Sequence, residues 1–385
     1  MNVKEPAEEA AIQLRTERQR IEPEGEEQSE QPTDLRGLFP EEIAALLTPW
    51  GQPTFRGKQI FKWLQNRAVR EVAEMTDLPQ ALRVRLGEAG WLKPLAPERH
   101  RVARDGTEKY LWRLADGELI ESVLMPYRRA QTRDRVTVCL STQAGCPLSC
   151  RFCATGRQGF RRNLTAAEIV GQVLDITHEK RKDDPDFKVT NLVFMGMGEP
   201  FLNYDNVRRA IGLFTHPEGQ AIGQRRITVS TAGIVPGIDR FADEDWEVNL
   251  ALSLHAADDK QRSEWMPVND RFPLAQVLEA CRRYWEKTRR RLSVEYALMA
   301  GVNDRLEDAR RLASLFKGWP IHLNLIPVNA VAGIGVRRPE REPTERFLAE
   351  LRRWGVDAVI REERGQDIEA ACGQLRGAAK GEEEA

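Results

Sequence analysis

Histidine is scarce in this chain, five in 385 residues, and ligands that would close a metal cage are missing where they would matter. After the run Cys146-Pro147-Leu148-Ser149-Cys150-Arg151-Phe152-Cys153 neither a fourth cysteine nor a histidine follows within twenty residues. That speaks against a local structural zinc site, which takes four protein ligands. No apolar run reaches the roughly 20 residues that span a bilayer, and the start, Met1-Asn2-Val3-Lys4-Glu5, lacks the basic-then-apolar pattern of a secretory leader. Six cysteines, three of them clustered, do not make a disulfide framework in a chain of this size. The expectation is a cytoplasmic protein with no membrane partner.

The formal net charge of −1 conceals a division. Residues 1–34 hold 10 acidic and 4 basic side chains, and 377–385 hold 3 and 1, which leaves the body with 53 basic against 46 acidic residues. Both ends are poor in residues to bury and are expected to be disordered acidic tails. The basic body is compatible with a polyanionic partner.

Between these tails the pattern divides again. Residues 35–105 read as a helical accessory module, with apolar residues at three- and four-residue steps in Pro40–Leu47, Arg56–Leu64 and Leu78–Arg83. Trp63 reads as core within it. Tyr110–Leu114 and Leu119–Leu124 flank Ala115-Asp116-Gly117, a hairpin signal. From there apolar strands are predicted at Val136–Leu140, Asn191–Phe194, Arg226–Ser230, Val248–Leu254, Leu292–Leu298 and Ile321–Ile326. Helices are predicted at Ala166–Glu179, Tyr204–Thr215, Ala275–Lys287, Leu306–Phe316 and Pro343–Trp354, with a short one near Ile238–Phe241. Thr165 and Glu168 form a capping box for the first. Alternation of this kind specifies an α/β fold with a parallel sheet, closed or partly closed into a barrel over 106–376, its reactive groups at the C-terminal strand ends.

The cysteine run falls just after the first of those strands. Thiolates are soft ligands suited to zinc or iron–sulfur clusters, and three thiolates on a [4Fe–4S] cluster leave one iron open to a small molecule. After the second strand comes Met195-Gly196-Met197-Gly198-Glu199-Pro200, where glycines admit a ligand to the backbone and a carboxylate can accept from an ammonium. Other strand ends carry Ser230-Thr231, Ser253-Leu254-His255 and Asn329, groups able to hydrogen-bond a nucleoside-bearing cofactor. Of the remaining cysteines, Cys281 reads as packing. On spacing alone Cys139 reads as core and Cys372 as a surface thiol.

The Cys-x3-Cys-x2-Cys run resembles the radical S-adenosylmethionine (SAM) superfamily. Together with Cys139-Leu-Ser-Thr-Gln-Ala-Gly-Cys146, Met195–Pro200 and Ala370-Ala371-Cys372-Gly373-Gln374-Leu375, it resembles the RlmN/Cfr family of radical-SAM RNA methyltransferases, and within it the RlmN branch, over roughly residues 35–375. The resemblance implies a partial (β/α)6 barrel behind a helix-hairpin-helix-like RNA-binding module. It implies one [4Fe–4S] cluster on Cys146, Cys150 and Cys153, and two SAM molecules per turnover. SAM would be held at Gly198, Glu199, Ser230, Ser253, Leu254, His255 and Asn329. Cys372 becomes the methyl-carrying cysteine, Cys139 the resolving one through a transient disulfide, and Glu121 the proton acceptor. The implied substrates are 23S ribosomal RNA and tRNA, methylated at adenosine C2, with a flavodoxin or ferredoxin as electron donor and a monomeric enzyme. The rivals are adenine-C8 methylation within the same family, a non-catalytic iron–sulfur or zinc RNA-binding protein, and a radical-SAM enzyme acting on a peptide or small molecule.

Overall fold

A computed structural model describes residues 33–127, 134–329, 335–362 and 364–375. The expected tails, 1–34 save its last two residues and 377–385, lie outside the described residues. The chain first forms three helices, α1 (Pro40–Leu47), α2 (Phe55–Phe61) and α3 (Gln80–Ala89). Pro40 opens α1, where its missing N–H costs nothing, and Ile43, Ala44 and Leu47 bury one stripe. The helix expected to run to Leu64 changes to a π-turn at Lys62–Asn66, which keeps Trp63 and Leu64 buried.

A ten-stranded sheet follows. Its antiparallel edge comprises β1 (Ala96–Val102), β2 (Glu108–Arg113), β3 (Leu119–Tyr127) and β4 (Arg135–Cys139). A small separate ribbon, β5 (Gln143–Gly145) with β6 (Phe160–Asn163), brackets the cysteine loop and the short helix α4 (Ala154–Arg157). Parallel strands β7 (Asn191–Phe194), β8 (Ile227–Thr231), β9 (Asn249–Ser253), β10 (Leu292–Leu298), β11 (Ile321–Pro327) and β12 (Ala358–Ile360) extend the sheet from β4 in that order. The connections carry α5 (Ala166–Arg181), α6 (Tyr204–Thr215), α7 (Val235–Asp243), α8 (Asp259–Trp265), α9 (Leu274–Thr288), α10 (Leu306–Leu315) and α11 (Arg341–Arg353).

The predicted strand–helix alternation is present; the β5–β6 ribbon, the short helix α4 and helix α8 are additions to it, and two further departures concern strands of the main sheet. Residues 96–102, placed in the helical module, form β1 instead; every one of its side chains is exposed, so no alternation of apolar residues announces it. A seventh parallel strand, β12, has only three residues, too few to carry a period.

Helix α5 sits between the helical module and the sheet. Its capping box is formed as expected, Thr165 Oγ1 accepting from Glu168 N. Ile169, Val170, Val173, Leu174 and Ile176 are buried, each contributing about 1.5–3 kcal/mol relative to exposure. Asp175 on the same helix joins the two parts: its carboxylate lies 3.0 Å from Arg36 and 3.3 Å from Arg70 and accepts from Leu95 N at 2.8 Å. Arg36 and Asp175 side chains are each 2 % exposed.

Candidate active site

The three clustered cysteines occupy the excursion between β5 and β6. The loop is held tightly: Cys146 N donates to Gly159 O at 3.0 Å and Arg151 N to Trp265 O at 3.0 Å. Gly145 takes φ +75°, and a Cβ there would stand 1.9 Å from Gly159 O, so only glycine permits this entry. The three thiols are free and half-buried. Burial, then the neighbouring thiols, pushes Cys146 and Cys150 above the ordinary thiol range; burial is also the main cause for Cys153.

Against this loop lies Arg262, fully buried, donating to Leu254 O at 3.3 Å, to Asn269 Oδ1 at 2.8 Å and to Ala232 O at 2.5 Å, all neutral acceptors. Its charge favours the thiolate of Cys150. Three adjacent thiols beside a buried guanidinium whose hydrogen bonds go to neutral oxygens fit an anionic cluster held by three sulfurs. Among the described residues no three Cys, His, Asp or Glu side chains form a ready-made metal cage. Binding would draw the sulfurs together and release their protons.

Around this loop the strand ends converge. Gly198 has φ +98°, and a Cβ would meet Gln143 Cβ at 2.6 Å. Gln143 in turn accepts from Glu199 N at 2.8 Å. The Glu199 carboxylate is buried, accepting from Phe201 N at 3.1 Å and Ala232 N at 2.8 Å. Burial nevertheless pushes its carboxyl up to about 7. Ser230 and Ser253, ending adjacent strands β8 and β9, bring their hydroxyls to 3.0 Å. Leu254 is wholly buried and offers only its backbone, whose N–H already donates to Glu295 O. His255 sits at φ +59° with its Nδ1 accepting from Ala297 N at 2.9 Å. That bond fixes the neutral tautomer with the proton on Nε2, and burial lowers the imidazole to about 3. The ring meets Phe152 of the cysteine loop edge-on, centroids 4.9 Å apart.

The two isolated cysteines come together. Cys139, at the end of β4, and Cys372, in the C-terminal segment, both line a cavity of about 50 Å³ with Val123, Met195, Asn329 and Arg361. Cys139 is buried and Cys372 exposed. Burial, then Cys372, pushes the Cys139 thiol up to about 12, against the pull of Arg361. The C-terminal segment docks directly on the cluster loop: Ala154 N donates to Gly373 O at 2.8 Å and Thr155 Oγ1 to Leu375 O at 2.5 Å. Asn329, expected at SAM, donates from Nδ2 to Cys372 O at 3.5 Å. Glu121 is buried on β3, its Oε1 3.2 Å from Lys109 Nζ.

Sequence reasoning missed Lys109, Arg262, Glu295 and Arg361. Arg361 follows the unrecognised β12 and reaches Glu295 at 3.3 Å. Lys109 and Glu295 sit on strands with buried neighbours, where a charged residue is unusual without a partner. That was the available signal.

A family model described as the radical SAM superfamily matches residues 140–313, and one described as the ribosomal RNA large subunit methyltransferase N-terminal domain matches residues 33–90. The chain is 49 % identical over 343 residues to a Desulfitobacterium hafniense protein named "Probable dual-specificity RNA methyltransferase RlmN", covering 89 % of this chain and 96 % of that one. It is 45 % identical over 344 residues to the dual-specificity RNA methyltransferase RlmN of Geobacter sulfurreducens, covering 89 % and 92 %. A crystal structure of a radical SAM methyltransferase from Sphaerobacter thermophilus superposes with a TM-score of 0.86 at 44 % identity, over 90 % of this chain and 100 % of that one.

Proposed function

The chain belongs to the RlmN family of radical-SAM RNA methyltransferases, and from that premise we propose that it methylates adenosine C2 in 23S ribosomal RNA and in tRNA through a methyl group carried on Cys372. The observation that carries this reading is the cavity shared by Cys139 and Cys372 beside the cluster loop.

An adenine C2–H offers no lone pair to an electrophilic methyl group, so the methyl must travel by a sulfur. When bound, a [4Fe–4S] cluster on Cys146, Cys150 and Cys153 and two SAM molecules per turnover supply the methyl group and the radical that activates it. Gly198, Glu199, Ser230, Ser253, Leu254, His255 and Asn329 would hold SAM. Exposed Cys372 takes the methyl on Sγ. After hydrogen removal that carbon bonds to C2, tying the RNA to the protein. Glu121 accepts the C2 proton, and the unpaired electron left by the radical addition returns to the one-electron donor system, which restores the aromatic ring. Cys139 Sγ, as the thiolate, then attacks Cys372 Sγ; the sulfur–carbon bond breaks, its electron pair leaves with the carbon, which takes up a proton to become the C2 methyl group, and a Cys139–Cys372 disulfide remains for reduction. Cys139 is buried where Cys372 is exposed, so the methyl donor reaches Cys372.

The helical module and the basic body support an RNA substrate, with phosphate contacts that position and the extruded base read in the site. No helix among the described residues is long and apolar enough to cross a membrane; we place the enzyme in the cytoplasm as a monomer served by a flavodoxin or ferredoxin. Nucleoside mass mapping of RNA treated with the reconstituted enzyme should give 2-methyladenosine. Finding 8-methyladenosine instead would assign the chain the C8 reaction, and no methylated nucleoside would contradict both.

A further inference from the structure

The antiparallel edge of the sheet contributes more than a scaffold. In the β2–β3 register Lys109 stands opposite Val123 and Leu111 opposite Glu121. Val123 stands opposite Cys139 across β3–β4. Side chains two apart share a face of a sheet, so Lys109, Glu121, Val123 and Cys139 all face the cavity side. There Lys109 Nζ lies 3.2 Å from Glu121 Oε1, with the two side chains 9 % and 5 % exposed. The same ammonium donates to Glu369 O at 3.1 Å, three residues before Cys372.

We infer that Lys109 is a positioning residue for proton removal: it keeps Glu121 an anion in a buried site and ties that anion to the segment carrying Cys372. The inference rests on the proposed role of Glu121 as proton acceptor. A carboxyl group buried without a cation holds its proton, because desolvation penalises the charged form. A protonated Glu121 could not act. In the step concerned the C2–H bond breaks, the proton passes to a Glu121 oxygen, the electron pair stays in the base, and the adduct's unpaired electron returns to the one-electron donor system. Among the described residues, groups facing Glu121 include Lys109 on β2, the Cys139 thiol on β4, the Met197 sulfur after β7, which accepts from Glu121 N at 3.4 Å, and the Glu369–Cys372 segment. Of these, Lys109 is the one that brings a positive charge to the Glu121 carboxylate.

Lys109→Gln keeps a donor for the Glu369 carbonyl and removes the charge, whereas Lys109→Arg keeps the charge. In the full-length, cluster-loaded protein, Lys109→Gln should still cleave SAM yet lose at least tenfold in product at pH 7, accumulating RNA crosslinked to the protein, as Glu121→Gln should. Lys109→Arg should stay within about threefold of wild type. Without cofactors, infrared difference spectra give a second readout. Wild type minus Glu121→Gln should show ionised-carboxylate bands, and Lys109→Gln minus the double variant should show a protonated carboxyl band.

Normal turnover by Lys109→Gln, or an ionised Glu121 in that variant, would overturn the inference while leaving Glu121 in place. Normal turnover by Glu121→Gln would overturn the reading beneath it and the inference together. If Lys109→Gln does not fold, the Lys109→Met/Glu121→Gln protein is compared with Glu121→Gln: equal crosslink yields support the inference, and a further tenfold loss contradicts it.

Discussion

Cys139 and Cys372 lie at opposite ends of the barrel sequence, yet both line one cavity of about 50 Å³. One is placed by a strand and the other by a segment hydrogen-bonded to the cluster loop at Ala154 and Thr155. The fold thus holds two thiols of unequal access beside three that suit a cluster. A merely structural cysteine pair has no need of that inequality, whereas a relay with one acceptor and one resolver does.

Gly198→Ala should raise the SAM dissociation constant at least tenfold. An alanine there would need φ +98° and would press on Gln143 at 2.6 Å, and Gln143 holds Glu199 N. Overpacking of this kind costs about 1–3 kcal/mol. Calorimetric titration of cluster-loaded protein checks it, and unchanged affinity would mean that this strand end does not bear on SAM.

Glu199 should leave a signature in stability against pH. Its folded value of about 7 lies above the ordinary 4.5, so the folded state holds the proton more tightly than the unfolded one. The associated stability is fully present below about pH 4.5 and is lost as pH rises to about 7, on the order of 3 kcal/mol. Urea midpoints of the cofactor-free protein at pH 5 and pH 8 should converge in Glu199→Gln relative to wild type. An identical pH difference in both proteins would contradict the burial argument.

Asp175→Ala should destabilise the protein by about 3–5 kcal/mol, because it strips a carboxylate from buried Arg36 and from Arg70 and Leu95 N. Urea unfolding measures this. A change below about 1 kcal/mol would show that the helical module is docked by apolar packing alone.

Much of this was legible in the sequence, for identifiable reasons. Helix α6 (Tyr204–Thr215) and strand β10 (Leu292–Leu298) were predicted to the residue, since long periodic segments carry their own signal. The cysteine run and the strand-end polar groups were legible as chemistry because metal spacing and position after a strand are local facts. The pairing of Cys139 with Cys372 was not: it depends on β12 and the chain after it folding back onto the cluster loop, a tertiary event that no spacing encodes. Only the family resemblance suggested it. The Lys109–Glu121 pair escaped for the same reason, being a diagonal contact across a strand register.

The most direct test of the relay is a pair of single substitutions assayed with RNA, SAM and reductant. Cys372→Ala removes the methyl acceptor and should give neither 2-methyladenosine nor a covalent adduct. Cys139→Ala leaves methyl transfer and carbon–carbon bond formation intact but removes the resolving thiol. It should accumulate protein crosslinked to RNA, seen as a gel shift that survives denaturant and disappears with nuclease. Normal turnover by either variant, or no trapped RNA in Cys139→Ala, would contradict the account.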